Sequence, residues 1–335
     1  STDFAAPQLR DVCLREQVTL LVHDVEFTQL IGAVNVRHGS LLAWTEPDDA
    51  DDDHPAAADR ETLEQLISAG AGRRAKRPRR QARVIMLTSG TTGVPQGTPR
   101  SSGRSLAPLG ALFSMVPFRS REAAVIAPPM FHALGYTQML VSVALGSATI
   151  VRRRFSTQAV LGDIESHRPS VLVAVPVMVR RIVALMEQQP GAWDTSSLRI
   201  VLVSGAQLEG ELVRRAQQTL GDVIYNFYGS TEVAYASFAT PEDLREAPGC
   251  AGRAPFGTAL RLYDDTGGRV SGAGRVGRIF VGNTFQFDGH TDGGGKAMID
   301  GLMSTGDVGH FDARGRLFVD GPAGDHAGRS GGLSE

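Results

Sequence analysis

The feature that most constrains this chain is a rhythm. Short apolar runs alternate with stretches of helical periodicity across the middle of the sequence. The runs are Arg83–Leu87, Ala123–Ala127, Ala148–Val151, Val171–Val175, Arg199–Val203 and Val223–Phe227. They are too short for helices and apolar at nearly every position, as expected of strands buried on both faces. Between them, 106–115, 157–167, 176–187 and 209–220 read as helices, with Pro176 in a first turn, where proline loses no hydrogen bond. Upstream, 8–17 reads as a short helix and Val18–Val22 as a strand. Asp24 is expected to cap a helix through Val34, with Phe27, Leu30, Ile31 and Val34 on one face. Leu41–Trp44 reads as a strand, and 62–69 as a helix with Leu63, Leu66 and Ile67 as its apolar face. Alternation of this kind implies a largely parallel sheet covered by helices.

From residue 250 glycines become dense and strands short: Ala259–Tyr263, Gly277–Val281 and Leu317–Val319. The expected fold class is therefore α/β, with layered, mostly parallel sheets flanked by helices and a small β-barrel-like subdomain towards the C-terminus. The expected divisions are 1–82, a partial α/β subdomain; 83–235, a larger α/β subdomain; 236–325, a β-rich subdomain; and 326–335, a tail.

Composition removes several functions. With 42% hydrophobic residues in 335, the chain can bury a core, and its formal charge of −2 does not suit a general nucleic-acid surface. Arg73–Arg80 places six cations in eight residues and reads as an exposed linker able to steer an anionic substrate, with nucleic-acid or acidic-lipid contact as the alternative; Asp48–Asp53 reads as a solvated acidic loop without calcium-loop spacing. Cys13 and Cys250 suit neither a metal cluster nor a disulfide framework, so a reduced interior is expected. No run of apolar residues is long enough to span a membrane. The start, Ser1-Thr2-Asp3-Phe4, has neither an initiator Met nor the features of a signal peptide.

The apolar run Arg83–Leu87 leads into Thr88-Ser89-Gly90-Thr91-Thr92-Gly93-Val94-Pro95-Gln96-Gly97, which holds three glycines, one proline and four hydroxyl side chains. Glycines let backbone N–H groups approach an anion, and hydroxyls add donors at little volume, so such a loop can wrap a phosphate chain. A plain surface turn has the same composition. There is no Gly-Lys-Ser/Thr, so this is not a Walker loop. Three further segments follow strands. Pro128–Gly135 carries Phe131 and His132. Ser204-Gly205-Ala206-Gln207-Leu208 puts a small pair at a strand's carboxyl end, where a flat ring can lie. Asn226-Phe227-Tyr228-Gly229-Ser230-Thr231-Glu232 offers an aromatic ring, hydroxyls and a carboxylate. A fourth, Gly301–Asp307, ends in Thr305-Gly306-Asp307.

Together these segments resemble the signatures of the adenylate-forming enzymes, the superfamily of acyl-CoA synthetases, luciferases and adenylation domains, closest to fatty-acid–CoA ligases. The resemblance implies ATP as substrate, Mg2+ as metal and CoA as co-substrate. It implies that Thr88, Ser89, Gly90, Thr91, Thr92, Gly93 and Gln96 face phosphates and that Gly205 and Ala206 pack against adenine. Asn226, Phe227, Tyr228, Gly229 and Ser230 border the nucleotide, with Tyr228 stacking on the purine. Thr231 donates to the α-phosphate, Glu232 binds the metal, His132 lines the acyl pocket and Asp307 accepts the ribose hydroxyls. The implied reaction joins a carboxylic acid to ATP, giving an acyl-adenylate, and then to CoA. The Gly-rich, apolar lining near His132 and Gly205 favours an aliphatic acid; no buried carboxylate suits an amino group. A cytoplasmic location follows, with peripheral membrane association, self-association and contact with a further domain left open.

The chain departs from the family's pattern in places. Gln96 stands where the family has lysine, Pro322 where an arginine usually follows, and Gly324–Gly332 only loosely resembles the hinge. The resemblance also implies further sequence before residue 1 and a mobile C-terminal domain after the hinge, which supplies a catalytic lysine. An isolated binding domain with little turnover, or a fold kept for partner binding, are the alternatives to an active ligase.

Overall fold

The computed structural model describes residues 5–37, 39–43, 61–74, 84–88, 96–99, 107–230, 233–283 and 296–323. Contacts divide the chain into two units, Ser1–Arg83 with Leu87–Gly97, and Val84–Met86 with Thr98–Glu335.

In the first unit, α1 (Ala6–Arg15) buries Val12 and Cys13. The strand expected at Val18–Val22 forms later, as β1 (Leu21–His23). The helix expected from Asp24 to Val34 is instead a 3-10 turn (Val25–Phe27) followed by a short α2 (Thr28–Gly32), and the Asp24 side chain makes no cap hydrogen bond. Ile31 and Val34 nevertheless bury as the periodicity implies. β2 (Ser40–Leu42) pairs parallel with β1. α3 (Leu63–Ala69) starts at a capping box: Thr62 Oγ1 accepts from Gln65 N, and Gln65 Oε1 accepts from Thr62 N. Its apolar residues Leu63, Leu66 and Ile67 stay exposed, so the period was right and the buried face was not. β3 (Ile85–Thr88) and β4 (Gln96–Pro99) pair with each other.

The second unit continues through α4 (Ala107–Met115), β5 (Ala124–Ile126), α5 (Ala133–Ala144), β6 (Thr149–Val151), α6 (Thr157–His167), β7 (Val171–Ala174), α7 (Pro176–Gln188), β8 (Ile200–Val203), α8 (Gly210–Leu220) and β9 (Ile224–Tyr228). β10 (Ser237–Ala239) and α9 (Pro241–Glu246) close this part. The sheet runs β10-β9-β8-β7-β5-β6, parallel except for β10. Strand residues alternate between its faces. Val125, Leu172, Ala174, Val201 and Val203 pack with α6, α7 and α8; Ala124, Ile126, Val171, Val173, Ile200 and Leu202 pack with α4 and α5. That two-sided burial explains why every residue of β5, β7 and β8 is apolar.

The amino ends of three strands are tied together. Glu122 accepts hydrogen bonds from Ser170 Oγ (2.5 Å) and from Arg199, the residues just before β5, β7 and β8. Burial alone would raise the Glu122 carboxyl, but these bonds and the Arg199 charge outweigh it and hold its pKa below 4.5.

The remaining strands, β11 (Ala259–Tyr263), β12 (Arg269–Val270), β13 (Gly277–Gly282), β14 (Met298–Ile299), β15 (Leu302–Phe311) and β16 (Leu317–Pro322), form an antiparallel sheet ordered β12-β11-β13-β15-β14, with β16 also on β15. Its apolar side covers Val233, Ala236, Ala251, Leu262, Ile279, Val281, Met303 and Leu317. Gly252 bridges Leu317 and lies beside Phe238; at φ +78° its Cα is so close that a Cβ would come 1.8 Å from the Phe238 carbonyl oxygen. β15 is missing from the strands expected of the sequence, because its motif, Thr305-Gly306-Asp307, breaks alternation in mid-strand.

Candidate functional site

The order of the parallel sheet reverses at β5. The chain leaves it for β6 on one side and returns as β7 on the other. Open α/β sheets bind ligands at the carboxyl ends of strands beside such a reversal. His132 follows β5, Gly205 and Ala206 follow β8, and Tyr228-Gly229-Ser230 ends β9, so three sequence segments follow strands on the carboxyl edge of the sheet.

Each loop has a local reason for its shape. Gly135, in the first turn of α5, sits under the Pro128–Pro129 backbone; a Cβ there would meet Pro129 O at 2.4 Å. That close approach folds the Pro128–His132 segment over the helix start. His132 is the N-cap residue, without a side-chain cap bond, and its ring lies 4.5 Å from that of Phe131. Loss of hydration lowers the His132 pKa below 6.5, favouring the neutral imidazole, although the side chain keeps a solvent-facing side. Gly205 adopts φ +92°, a conformation that favours glycine, with Val175 Cγ1 3.2 Å from where a Cβ would lie. Gln207 Nε2 donates to Val319 O at 3.2 Å, joining this loop to β16.

β9 divides its residues by task. Asn226 is buried and its Nδ2 donates to Cys250 O at 2.9 Å, while the Phe227 ring stacks on Phe238 at 4.9 Å. Both are occupied in holding the sheet, a role the sequence reading does not separate from ligand contact. Gly229 passes so close to Ala234 that a Cβ would lie 2.2 Å from its carbonyl oxygen, and Ser230 Oγ accepts from Val233 N at 3.3 Å.

Tyr228 reaches across to the antiparallel sheet. Its hydroxyl donates to Asp307 Oδ2 at 2.6 Å. Burial, and then the neighbouring Asp307 carboxylate, pushes the phenol far above its ordinary value, so it remains a donor throughout the neutral range. Asp307 is presented by a β-bulge. Arg278 pairs with Val308 and Phe280 with Ser304, so β15 spends extra residues against β13. Thr305 Oγ1 pins the bulge, accepting from Asp307 N (3.1 Å) and donating to Ile279 O (3.2 Å); Gly306, at φ +92°, allows the turn. Bulges re-aim side chains in this way beside active sites. Pro322 stands opposite Asp307 on β16.

His132, Gly205, Ala206, Tyr228, Gly229, Ser230 and Asp307 all belong to one unit, and of these Tyr228 and Asp307 are joined by a side-chain hydrogen bond. Thr88 ends β3 and Gln96 begins β4. Ser89, Gly90, Thr91, Thr92, Gly93, Thr231 and Glu232 lie outside the described residues, as do the acidic loop, most of the basic run and the expected hinge. A Lys296 ammonium bonded to Thr305 O at 3.0 Å is a site neighbour that the motif reading passes over. A separate cavity of about 570 Å³, lined by Met186, Trp193, Leu198 and Leu220 among others, opens at the opposite, amino edge of the sheet and contains none of these residues.

A tyrosine hydroxyl bonded to a carboxylate, beside the carboxyl edge of an open α/β sheet, stands where sheets of this class hold ligands. The AMP-binding enzyme family model matches residues 1–290, and the chain belongs to that family, whose members form adenylates. It is 30% identical over 243 residues to the 2-succinylbenzoate–CoA ligase of Bacillus pumilus (strain SAFR-032), covering 71% of this chain and 48% of that protein. It is 26% identical over 321 residues to the feruloyl-CoA synthase of an Amycolatopsis species, covering 94% and 61%. Among solved structures, the amide bond synthetase McbA from Marinactinospora thermotolerans superposes with a TM-score of 0.74 at 26% identity, covering 95% of this chain and 63% of that one. The chain spans about half the length of the curated relatives it matches. Among the described residues no helix is long and apolar enough to cross a membrane.

Proposed function

We propose that this chain is the nucleotide- and acyl-binding part of an acyl- or aryl-CoA ligase. The observation that carries the reading is the Tyr228–Asp307 hydrogen bond, which brings two distant motifs to one place. In this reading Asp307 accepts the ribose hydroxyls and the Tyr228 ring and the Gly205-Ala206 backbone sandwich the purine. Thr88–Gly93 and Gln96 surround the phosphates, and Thr231 donates to the α-phosphate. Mg2+, held by Glu232, would neutralise phosphate charge. A carboxylate oxygen of the acid attacks the α-phosphorus and pyrophosphate leaves. The CoA thiol then loses its proton and attacks the acyl carbon, and AMP leaves. The protein's part is positioning and charge stabilisation; no covalent protein nucleophile is required.

For the acid, the lining near His132 and Gly205 supports an aliphatic chain. A second reading, an aromatic acid, is favoured by relatives named for succinylbenzoate, indoleacetate and ferulate. The division at 1–82, 83–235, 236–325 and 326–335 and a cytoplasmic setting belong to the same proposal. Gln96 and Pro322, both uncharged, support weak turnover by these 335 residues. Calorimetry with ATP, AMP and a non-hydrolysable acyl-adenylate tests the site, and binding of none of them would end the nucleotide reading. Acid-dependent exchange of pyrophosphate into ATP, run with fatty and aryl acids, then tests chemistry. Weak exchange is expected, and robust exchange would overturn the low-turnover reading.

A further inference from the structure

The chain carries 34 Lys and Arg residues, and only Lys76 and Lys296 are lysines. Surface ion pairs are made by arginine, as in Arg168–Asp194, Arg215–Glu187 and Arg245–Asp222. Arginine suits planar carboxylates, whereas a lysine ammonium is a compact charge with three donors and is the better fit to a crowded single point. Lys76 lies outside the described residues. Lys296, the one lysine among those described, stands at the site.

Its position is specific. Lys296 precedes β14 and lies across the hairpin from the bulge. Its Nζ donates to Thr305 O at 3.0 Å and lies 3.3 Å from where a Cβ on Gly306 would be. A side chain at 306 would crowd the ammonium, so glycine there serves both the turn and the cation. The next residue is Asp307, bound by Tyr228. Across the ladder, Pro322 offers no charge. Lys296 puts a positive charge on the Thr305 carbonyl, two residues before Asp307.

We propose that Lys296 is a ligand-binding cation of this site, whose ammonium, held on the Thr305–Asp307 bulge, engages the phosphate nearest the ribose of a nucleotide seated on Asp307. The proposal rests on the nucleotide reading above and adds to it a phosphate contact that the motifs do not contain.

The test compares adenosine with AMP in calorimetry on the full 335-residue chain. Lys296→Met is expected to weaken AMP about tenfold, the size of one charge-assisted hydrogen bond, while leaving adenosine within about twofold. Lys296→Arg should recover part of the AMP affinity by restoring charge. With so few lysines, amine acylation read by peptide mass spectrometry gives an independent measure: AMP should protect Lys296 and adenosine should protect it less. Equal losses for adenosine and AMP would reduce Lys296 to a hairpin clasp and overturn the proposal. So would unchanged AMP affinity in Lys296→Met. Binding of neither adenosine nor AMP to the unaltered chain would sink the nucleotide reading, and the proposal with it; binding of both without discrimination by the variant sinks the proposal alone.

Discussion

Removing one oxygen atom, in Tyr228→Phe, tests the centre of the argument. The ring and its packing remain, but the 2.6 Å bond to Asp307 Oδ2 is lost. A hydrogen bond to a charged group contributes about 1.5–3 kcal/mol, and a partly buried carboxylate deprived of its donor sits at the upper part of that range. Because the phenol is held protonated by burial and by Asp307, this contribution should not fall as pH rises from about 7 to about 9. Urea unfolding of Tyr228→Phe, Asp307→Ala and the double variant forms a cycle, with an expected coupling of about 1–2 kcal/mol. A binding readout accompanies it. With Asp307 no longer oriented, the preference for adenosine over 2′,3′-dideoxyadenosine should fall several-fold, while affinity for the dideoxy analogue, carried by the retained ring, changes little. Coupling below about 0.5 kcal/mol, where independent sites lie, together with an unchanged ribose preference, would refute the view that Tyr228 positions Asp307.

Four further outcomes follow from particular contacts. Glu122→Gln should flatten the acid limb of stability: a carboxyl whose pKa is lowered in the fold stabilises fully above its unfolded value and loses that contribution as pH falls through the folded one, so the unaltered chain should exceed the variant by a constant margin above about pH 5 and lose that margin below it. Burial raises both cysteine thiols, Cys250 to about 11, so iodoacetamide at pH 8 should label Cys250 only after urea unfolding. Gly252→Ala should cost roughly 3 kcal/mol or more, since backbone blocks its Cβ, whereas Gly257→Ala, with φ +77° but open space around it, should cost about 1; urea midpoints of the two separate steric contact from strain. Gln96→Lys should tighten ATP more than AMP in calorimetry, because a cation facing the distal phosphates meets charge that AMP lacks. No change in ATP affinity would remove the loop from the phosphate site.

Much of this fold is legible because its strands are buried on both sides. Runs such as Val171–Ala174 and Ile200–Val203 can only be strands of a covered sheet, and α6 begins and ends where its period does. Elements with weaker local signals escape. α5 is apolar on most sides and has no capping side chain, and β10 with α9 is brief, although the Thr240–Asp243 capping box marks it. The apolar period of α3 predicts a buried face that the structure leaves exposed, because periodicity reports a helix and not what covers it.

By itself the sequence determined the alternation of the parallel strands with α6, α7 and α8 and the residue types able to meet a nucleotide. Those follow from short-range periodicity and from loops whose glycines and hydroxyls suit few other tasks. Tertiary structure decided which of those residues meet. Tyr228 and Asp307 are far apart in the chain, and they come together because β9 lies in one sheet and a bulge in β15 turns a carboxylate towards it. The same packing bonds Asn226 to Cys250, stacks Phe227 on Phe238 and brings Lys296, which no motif announces, to Thr305. Hydrogen bonds between distant strands have no local period, so only the folded chain reveals them.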